Sequence, residues 1–181
     1  MMRVITGSAR GTRLLTPEGQ QTRPTTERTK EALFSAIQFE IEGRKVLDLF
    51  AGSGQLGIEA LSRGAKQAVF VDADRTAVGL VRENLKRTKL SERAQVRQMD
   101  ALSYLSACRE QFGLIFLDPP YAADLLEQAM EKIYEFDILS SGGIIVAERP
   151  KGKVFSVSYP GYLRSKDYGF GQATVTLFRK E

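Results

Sequence analysis

Five short runs rich in apolar residues, near 45–50, 67–72, 94–98, 113–118 and 142–148, alternate with segments of helical apolar spacing near 55–63, 75–88, 101–109 and 122–136. The runs are too short for buried helices, and most lack the polar alternation of a half-solvated strand, so they read as strands covered on both faces. Strands separated by helix-length crossovers pair in parallel, and right-handed crossovers place helices on both sides of the sheet. The expected architecture is α/β, a doubly wound and mostly parallel Rossmann-like sheet. Two segments stand outside the repeat. Residues 2–6 and 13–16 read as short strands joined through Ala9-Arg10-Gly11, forming a small basic N-terminal hairpin arm (1–22) ahead of a main domain (23–181). That domain opens with a helix from Pro24 to about Ile41. After Glu148, Val154–Tyr159 and Thr174–Phe178 read as strands with no helix between them, so they should form a hairpin and leave one antiparallel strand in the sheet.

Composition narrows the chemistry. The chain has 181 residues, enough for one domain with a full core, and no apolar stretch approaches the roughly 18 residues of a spanning helix. A single cysteine, Cys108, excludes an intramolecular disulfide, and the lack of any histidine removes the usual Cys/His metal set. We therefore expect a cytoplasmic, metal-free, monomeric protein without a membrane segment. Without histidine there is no Ser-His or Cys-His nucleophile pair, and catalysis must run on carboxylates, tyrosines, lysines or positioning. Cys108 itself, on a predicted helix away from the loops described below, reads as a small buried residue. Net charge is distributed unevenly: +4 over residues 1–30, −5 over 31–148 and +5 over 149–181. The first segment carries Arg3, Arg10, Arg13, Arg23, Arg28 and Lys30, a composition suited to a phosphate backbone. Because no acidic residue precedes Glu18, Arg3, Arg10 and Arg13 are expected to face phosphates rather than pair internally. The basic segment around Arg149, Lys151 and Lys153 is the second candidate for that role.

The first strand carries Asp48 and opens into Phe50-Ala51-Gly52-Ser53-Gly54, a loop able to admit a nucleotide-like cofactor at a helix start. Gly52, Gly54 and Gly57 satisfy G-x-G-x-x-G, with Asp72 twenty residues beyond Gly52, so a dinucleotide fits the fingerprint formally. Asp48 argues against it, since its charge would face an incoming pyrophosphate. S-adenosylmethionine carries a sulfonium and an ammonium and no phosphate, so Asp48 suits it better. Asp72 then serves the ribose hydroxyls. Asp100, with Ala101 after it, either accepts from the adenine amino group or acts as a helix N-cap. Gly57 reads as a close-packing position.

The fourth strand ends in Asp118-Pro119-Pro120-Tyr121, which delivers a carboxylate, a rigid carbonyl and an aromatic ring together. An exocyclic base amine is a weak nucleophile because its lone pair is delocalised. Asp118 can accept one N–H and the Pro119 carbonyl the other, which frees the lone pair for a methyl group. Pro119 and Pro120 donate no backbone hydrogen bonds and fix φ, so the acceptors stay still. Tyr121 offers a stacking face worth roughly 1–3 kcal/mol, and a base already in a loop is the easiest to extrude. Both loops fall at strand carboxyl ends, where open α/β sheets bind ligands, and together they imply a methyltransferase.

These motifs, with Arg23-Pro24-Thr25 leading into Lys30-Glu31-Ala32-Leu33-Phe34, resemble the bacterial RsmD-type 16S rRNA guanine-N2 methyltransferases over nearly the whole chain. The resemblance implies methyl transfer from S-adenosylmethionine to N2 of one guanine in small-subunit rRNA, on an assembled or partly assembled particle. It carries over Asp118 to Tyr121 as the amine-binding loop and Asp48, Gly52, Gly54 and Asp72 as cofactor residues. It places Arg23 and Thr25 at the cofactor's rim or on the RNA. An adenine-N6 methyltransferase acting on DNA or RNA shares the loop chemistry, Tyr121 included. Only about thirty residues follow the fifth strand, too few for a separate duplex-reading domain, so recognition should lie in the substrate's shape, as with folded RNA.

Overall fold

A computed structural model describes residues 2–17, 24–121, 124–155 and 158–181. Seven strands form a single sheet in the order β3-β2-β1-β4-β5-β7-β6. They are β1 (Lys45–Leu49), β2 (Gln67–Asp72), β3 (Ala94–Gln98), β4 (Phe112–Leu117), β5 (Leu139–Pro150), β6 (Tyr162–Phe170) and β7 (Ala173–Lys180). β1 to β5 pair in parallel, and β7 inserts antiparallel between β5 and β6, so β7 alone runs against the rest. The helices are α1 (Pro24–Ala36), α2 (Gln55–Ser62), α3 (Arg75–Thr88), α4 (Ala101–Ala107) and α5 (Leu125–Glu135). The helix at Pro24 stops at Ala36 and passes through a short 3-10 turn, Gln38–Glu40, before Ile41. None of the described helices is long and apolar enough to cross a membrane.

Alternation along the central strands sorts side chains into two cores. Val46, Phe70, Leu114, Phe116 and Val146 face one side, with Phe34 of α1 and Ile58 of α2, while Leu47, Leu49, Ile115, Leu117 and Ala147 face the other, with Met130 and Ile133 of α5. The strands are apolar throughout because both faces are covered. Gly57 confirms the close-packing reading: a Cβ there would lie 2.4 Å from the Phe70 ring.

The C-terminal hairpin exists, but its first strand is displaced. Val154, Phe155 and Tyr159 lie outside any strand, and β6 begins at Tyr162. Phe155 packs edge-on against Phe178, 4.9 Å between ring centroids, so its apolar character serves packing without ladder hydrogen bonds. Cys108 lies just past α4 as its C-cap; it is buried, and burial pushes its thiol pKa up.

The N-terminal hairpin consists of one antiparallel bridge, Arg3 to Arg13, flanked by backbone hydrogen bonds between Val4 and both Thr12 and Gly11. It packs onto the domain: Met2, Val4, Ala9 and Leu14 belong to the first core. Fully buried Glu59 of α2 accepts from the backbone N–H groups of Ile5 (2.9 Å) and Thr6 (3.0 Å) and pairs with Arg63 (2.9 Å) and Lys30 (3.3 Å). Lys30 is 2% exposed and also donates to the Arg3 carbonyl, so it holds the arm and does not reach RNA. Arg3 pairs internally after all, with Glu27 at 2.8 Å, although its side chain remains largely exposed. Its partner is far away in sequence, which the spacing of acids before Glu18 could not reveal. Arg10, Arg13 and Arg28 are exposed. Arg23 lies outside the described residues, as does the Thr25 side chain.

Candidate active site

The strand order reverses between β1 and β4, and this switch point is where both loops emerge. Leu49 pairs with Val71 on one side and with Leu117 on the other, and Leu117 pairs with Ala147. The next residues on these four strands are therefore Asp72, Phe50, Asp118 and Glu148, aligned across the carboxyl edge with strands about 4.8 Å apart. Gly52 and the Asp118 loop thus leave neighbouring strands at one level.

The glycine loop is shaped by its backbone. Phe50 has φ +66°, Gly52 +56° and Gly54 +78°, conformations that cost a side chain energy and that glycine adopts freely. Gly54, the N-cap of α2, has no side chain to cap the helix, which leaves the N–H groups of Gln55 and Leu56 available to a ligand. A Cβ on Gly52 would meet nothing within 4 Å, so the loop fronts open space, whereas one on Gly54 would press on Val81 at 3.2 Å. The buried Gln55 Oε1 has no protein partner among the described residues. Asp72 braces the loop: Oδ2 accepts from Gly52 N–H and Oδ1 from Asp74 N–H, each at 2.9 Å. Asn84 of α3, fully buried and absent from the sequence reading, donates to the Ser53 carbonyl and exchanges hydrogen bonds with the Leu15 backbone. It ties the arm to the loop, and a lone mid-helix asparagine gives no sequence signal of that.

Asp48 is 2% exposed and accepts from Gly57 N–H at 2.9 Å, capping α2 from the adjacent strand. Burial lifts its pKa to about 8, a rise opposed by the Gly57 N–H and reinforced by Asp118 and Asp72. Asp100 is the N-cap of α4, accepting from Ser103 N–H at 2.9 Å, with Ala101 buried beside it. One of its oxygens remains without a partner among the described residues. Ser53 and Ala51 are buried, and Phe50 is partly exposed.

On the other side, Asp118 is partly buried, and desolvation, with help from the Glu148 charge, raises its pKa to about 7. Pro119 is buried and Pro120 exposed. Tyr121 is 54% exposed and donates its hydroxyl to Glu148 Oε1 at 3.2 Å; burial, then Glu148, pushes its pKa up to about 12. Pro119, Pro120 and Tyr121 line a cleft closed by Glu148, Leu125 and Phe155, and Asp118 precedes them at its edge. Arg149, the next residue along, is 5% exposed and pairs with Asp167 at 2.5 Å, so it holds the C-terminal hairpin and is no phosphate ligand. Lys153 pairs with Asp124 at 3.3 Å.

Comparison with known proteins agrees with this arrangement. A family model described as Conserved hypothetical protein 95 matches residues 2–179. The chain belongs to this family, the RsmD-type rRNA methyltransferases. A Bacillus subtilis relative named "Putative rRNA methyltransferase YlbH" is 40% identical over 99% of both chains. "Ribosomal RNA small subunit methyltransferase D" of Haemophilus influenzae is 39% identical over 84% of this chain and 80% of its own length, and its Escherichia coli counterpart is 31% identical over 99% and 90%. A solved putative methyltransferase from Escherichia coli superposes with a TM-score of 0.90 at 32% identity, covering 99% of this chain and 98% of that one. Family and fold together make the chain a methyltransferase enzyme with a Rossmann-like sheet, of a kind that methylates rRNA.

Proposed function

We propose that the protein methylates the exocyclic N2 of one guanine in 16S rRNA, on an assembled or partly assembled small ribosomal subunit, with S-adenosylmethionine as the donor. The supporting observation is the in-register emergence of the Gly52 loop and Asp118 from β1 and β4, which brings the two loops side by side as methyl transfer from a cofactor to an amine requires. When bound, S-adenosylmethionine supplies an electrophilic methyl group. The residues present suit it: Asp72 and the buried acid Asp48 lie beside the loop, a setting that disfavours a pyrophosphate, and no lysine or arginine lies in residues 48–55. The N–H groups of Gln55 and Leu56 at the start of α2 would receive its carboxylate. Asp72 retains unused lone pairs for ribose hydroxyls, Asp100 an oxygen for the adenine amine, and Phe50, Ala51, Ser53 and Ala101 complete the walls.

Asp118 and the Pro119 carbonyl accept the two amine hydrogens, orienting the nitrogen lone pair, while exposed Tyr121 stacks on the base. Alkylation forces the nitrogen to shed one proton, and Asp118, with a pKa near 7, is poised to take it and release it to water. Arg10 and Arg13, exposed on the docked arm, suit rRNA phosphates, with Arg3 and Arg23 as further contacts.

Two experiments test the reading. Mapping methylated nucleotides in rRNA from cells with and without the protein should reveal one missing N2-methylguanine, and its persistence would refute the assignment. Asp118→Ala should slow single-turnover methylation of purified small subunits by about 100- to 1000-fold, the scale for losing one positioned electrostatic partner, with S-adenosylhomocysteine affinity retained.

A further inference from the structure

Asp118, Pro119 and Tyr121 explain how an exocyclic amine is held, but not why guanine should be preferred to adenine, since both bases present such an amine. The structure adds a second carboxylate. Glu148 follows Ala147, which pairs with Leu117, so Glu148 and Asp118 sit side by side on adjacent strands. Tyr121 donates to Glu148 Oε1, which fixes the carboxylate in the wall of the cleft and leaves Oε2 free. Among the described residues no lysine or arginine pairs with Glu148. An unpaired, partly buried carboxylate next to another one is costly, and the cost falls only when a donor-rich ligand arrives.

The Watson–Crick edge of guanine meets that requirement. It presents the ring N1–H directly beside the N2 amine, a row of donors facing a row of acceptors. Adenine places a bare N1 lone pair beside its N6 amine, and that lone pair would face a carboxylate. We propose that Glu148 is the specificity-determining residue of this site, accepting N1–H of guanine while Asp118 and Pro119 hold the amine. The inference rests on the guanine reading given above.

The test uses small subunits reconstituted with guanine, 2-aminopurine or adenine at the nucleotide that the mapping identifies. 2-Aminopurine keeps the 2-amino group but has a bare N1. The native enzyme should prefer guanine to 2-aminopurine by at least about 100-fold in kcat/KM, short of the ~10⁴–10⁵ reached where a fully buried partner is lost. Glu148→Gln keeps size and can donate to a bare N1, so the preference should fall at least tenfold, with S-adenosylhomocysteine affinity unchanged by calorimetry. Tyr121→Phe removes the hydroxyl that fixes Glu148 but keeps the carboxylate, and should retain most of the native preference. A Glu148→Gln enzyme with the native ratio would overturn the inference and leave the guanine reading standing. So would a Tyr121→Phe enzyme that loses the ratio as fully, because Glu148 would then act only through the ring. A native enzyme that methylates adenine N6 in preference to guanine would overturn both.

Discussion

Replacing Asn84 with alanine probes the joint between the arm and the glycine loop. The side chain is fully buried and makes three hydrogen bonds: from Leu15 N–H at 2.7 Å, to the Leu15 carbonyl at 2.9 Å and to the Ser53 carbonyl at 2.9 Å. Each bond contributes about 1 kcal/mol net, and more where a buried group is left unsatisfied. Asn84→Ala should therefore destabilise by about 3–4 kcal/mol, a large share of the 5–15 kcal/mol typical of a domain. With a urea slope of about 2–3 kcal/mol/M, the unfolding midpoint should fall by roughly 1–2 M. The Ser53 carbonyl also loses its tether, so S-adenosylhomocysteine should bind about tenfold more weakly, a penalty of ~1.4 kcal/mol for a loop no longer preorganised. Urea titration and calorimetry on the same preparations measure both. A midpoint shift below about 0.3 M would refute the reasoning, because the Leu15 backbone and the buried Ser53 carbonyl would then have found other partners at no cost.

Three further outcomes are expected. Because an ionised Asp118 is needed to accept the amine hydrogen, kcat/KM should rise with pH through about 7 and then level off, and Glu148→Gln should move that midpoint down by removing the repelling charge; a flat profile from pH 5 to 9 would count against Asp118. Asp48 and Asp118 have folded-state pKa values raised to about 8 and about 7, so the stability they contribute is fully present below about pH 4 and is lost as pH rises toward 8; Asp48→Asn should flatten that decline in urea midpoints measured from pH 5 to 8. Glu59→Gln leaves Lys30 as a buried cation lacking its charged partner and should cost about 3–5 kcal/mol, whereas Glu27→Gln, which breaks only the surface pair with Arg3, should cost under about 1 kcal/mol.

The strand–helix alternation was legible because burial on both faces writes itself as apolar runs, and the observed β1, β2 and β3 begin at the residues the runs indicated. The two loops were legible because glycine and proline mark backbone geometry directly. What escaped the reading was long-range pairing. Val154–Tyr159 has strand composition, but Phe155 uses it in ring packing, and the true edge strand, Tyr162–Phe170, looks polar because most of its residues are exposed. In sequence Glu148 is merely the last residue of a strand, since only the register with Leu117 brings it to Asp118. Lys30 and Arg149 read as surface cations because their partners, Glu59 and Asp167, are 29 and 18 positions away.

The same long-range pairs bear on how the arm would act under the proposed function. A basic hairpin attached by a flexible hinge would hold RNA without fixing where the base arrives. Here Glu59 clamps Ile5, Thr6 and Lys30, and Asn84 joins Leu15 to Ser53, so Arg10 and Arg13 stand at a fixed offset from the loop that fronts the cofactor site. Replacing Arg10 and Arg13 together with alanine should then do two things. The log–log salt dependence of binding to small subunits should flatten by about 1.5, since each lost phosphate contact removes about 0.7–0.9, and cofactor affinity should stay unchanged, because neither side chain contributes to the clamp. A slope equal to that of the native protein would show that these arginines meet no phosphate, and with Lys30 and Arg149 buried in ion pairs, the exposed Arg28 and Lys151 would be the next cations to test.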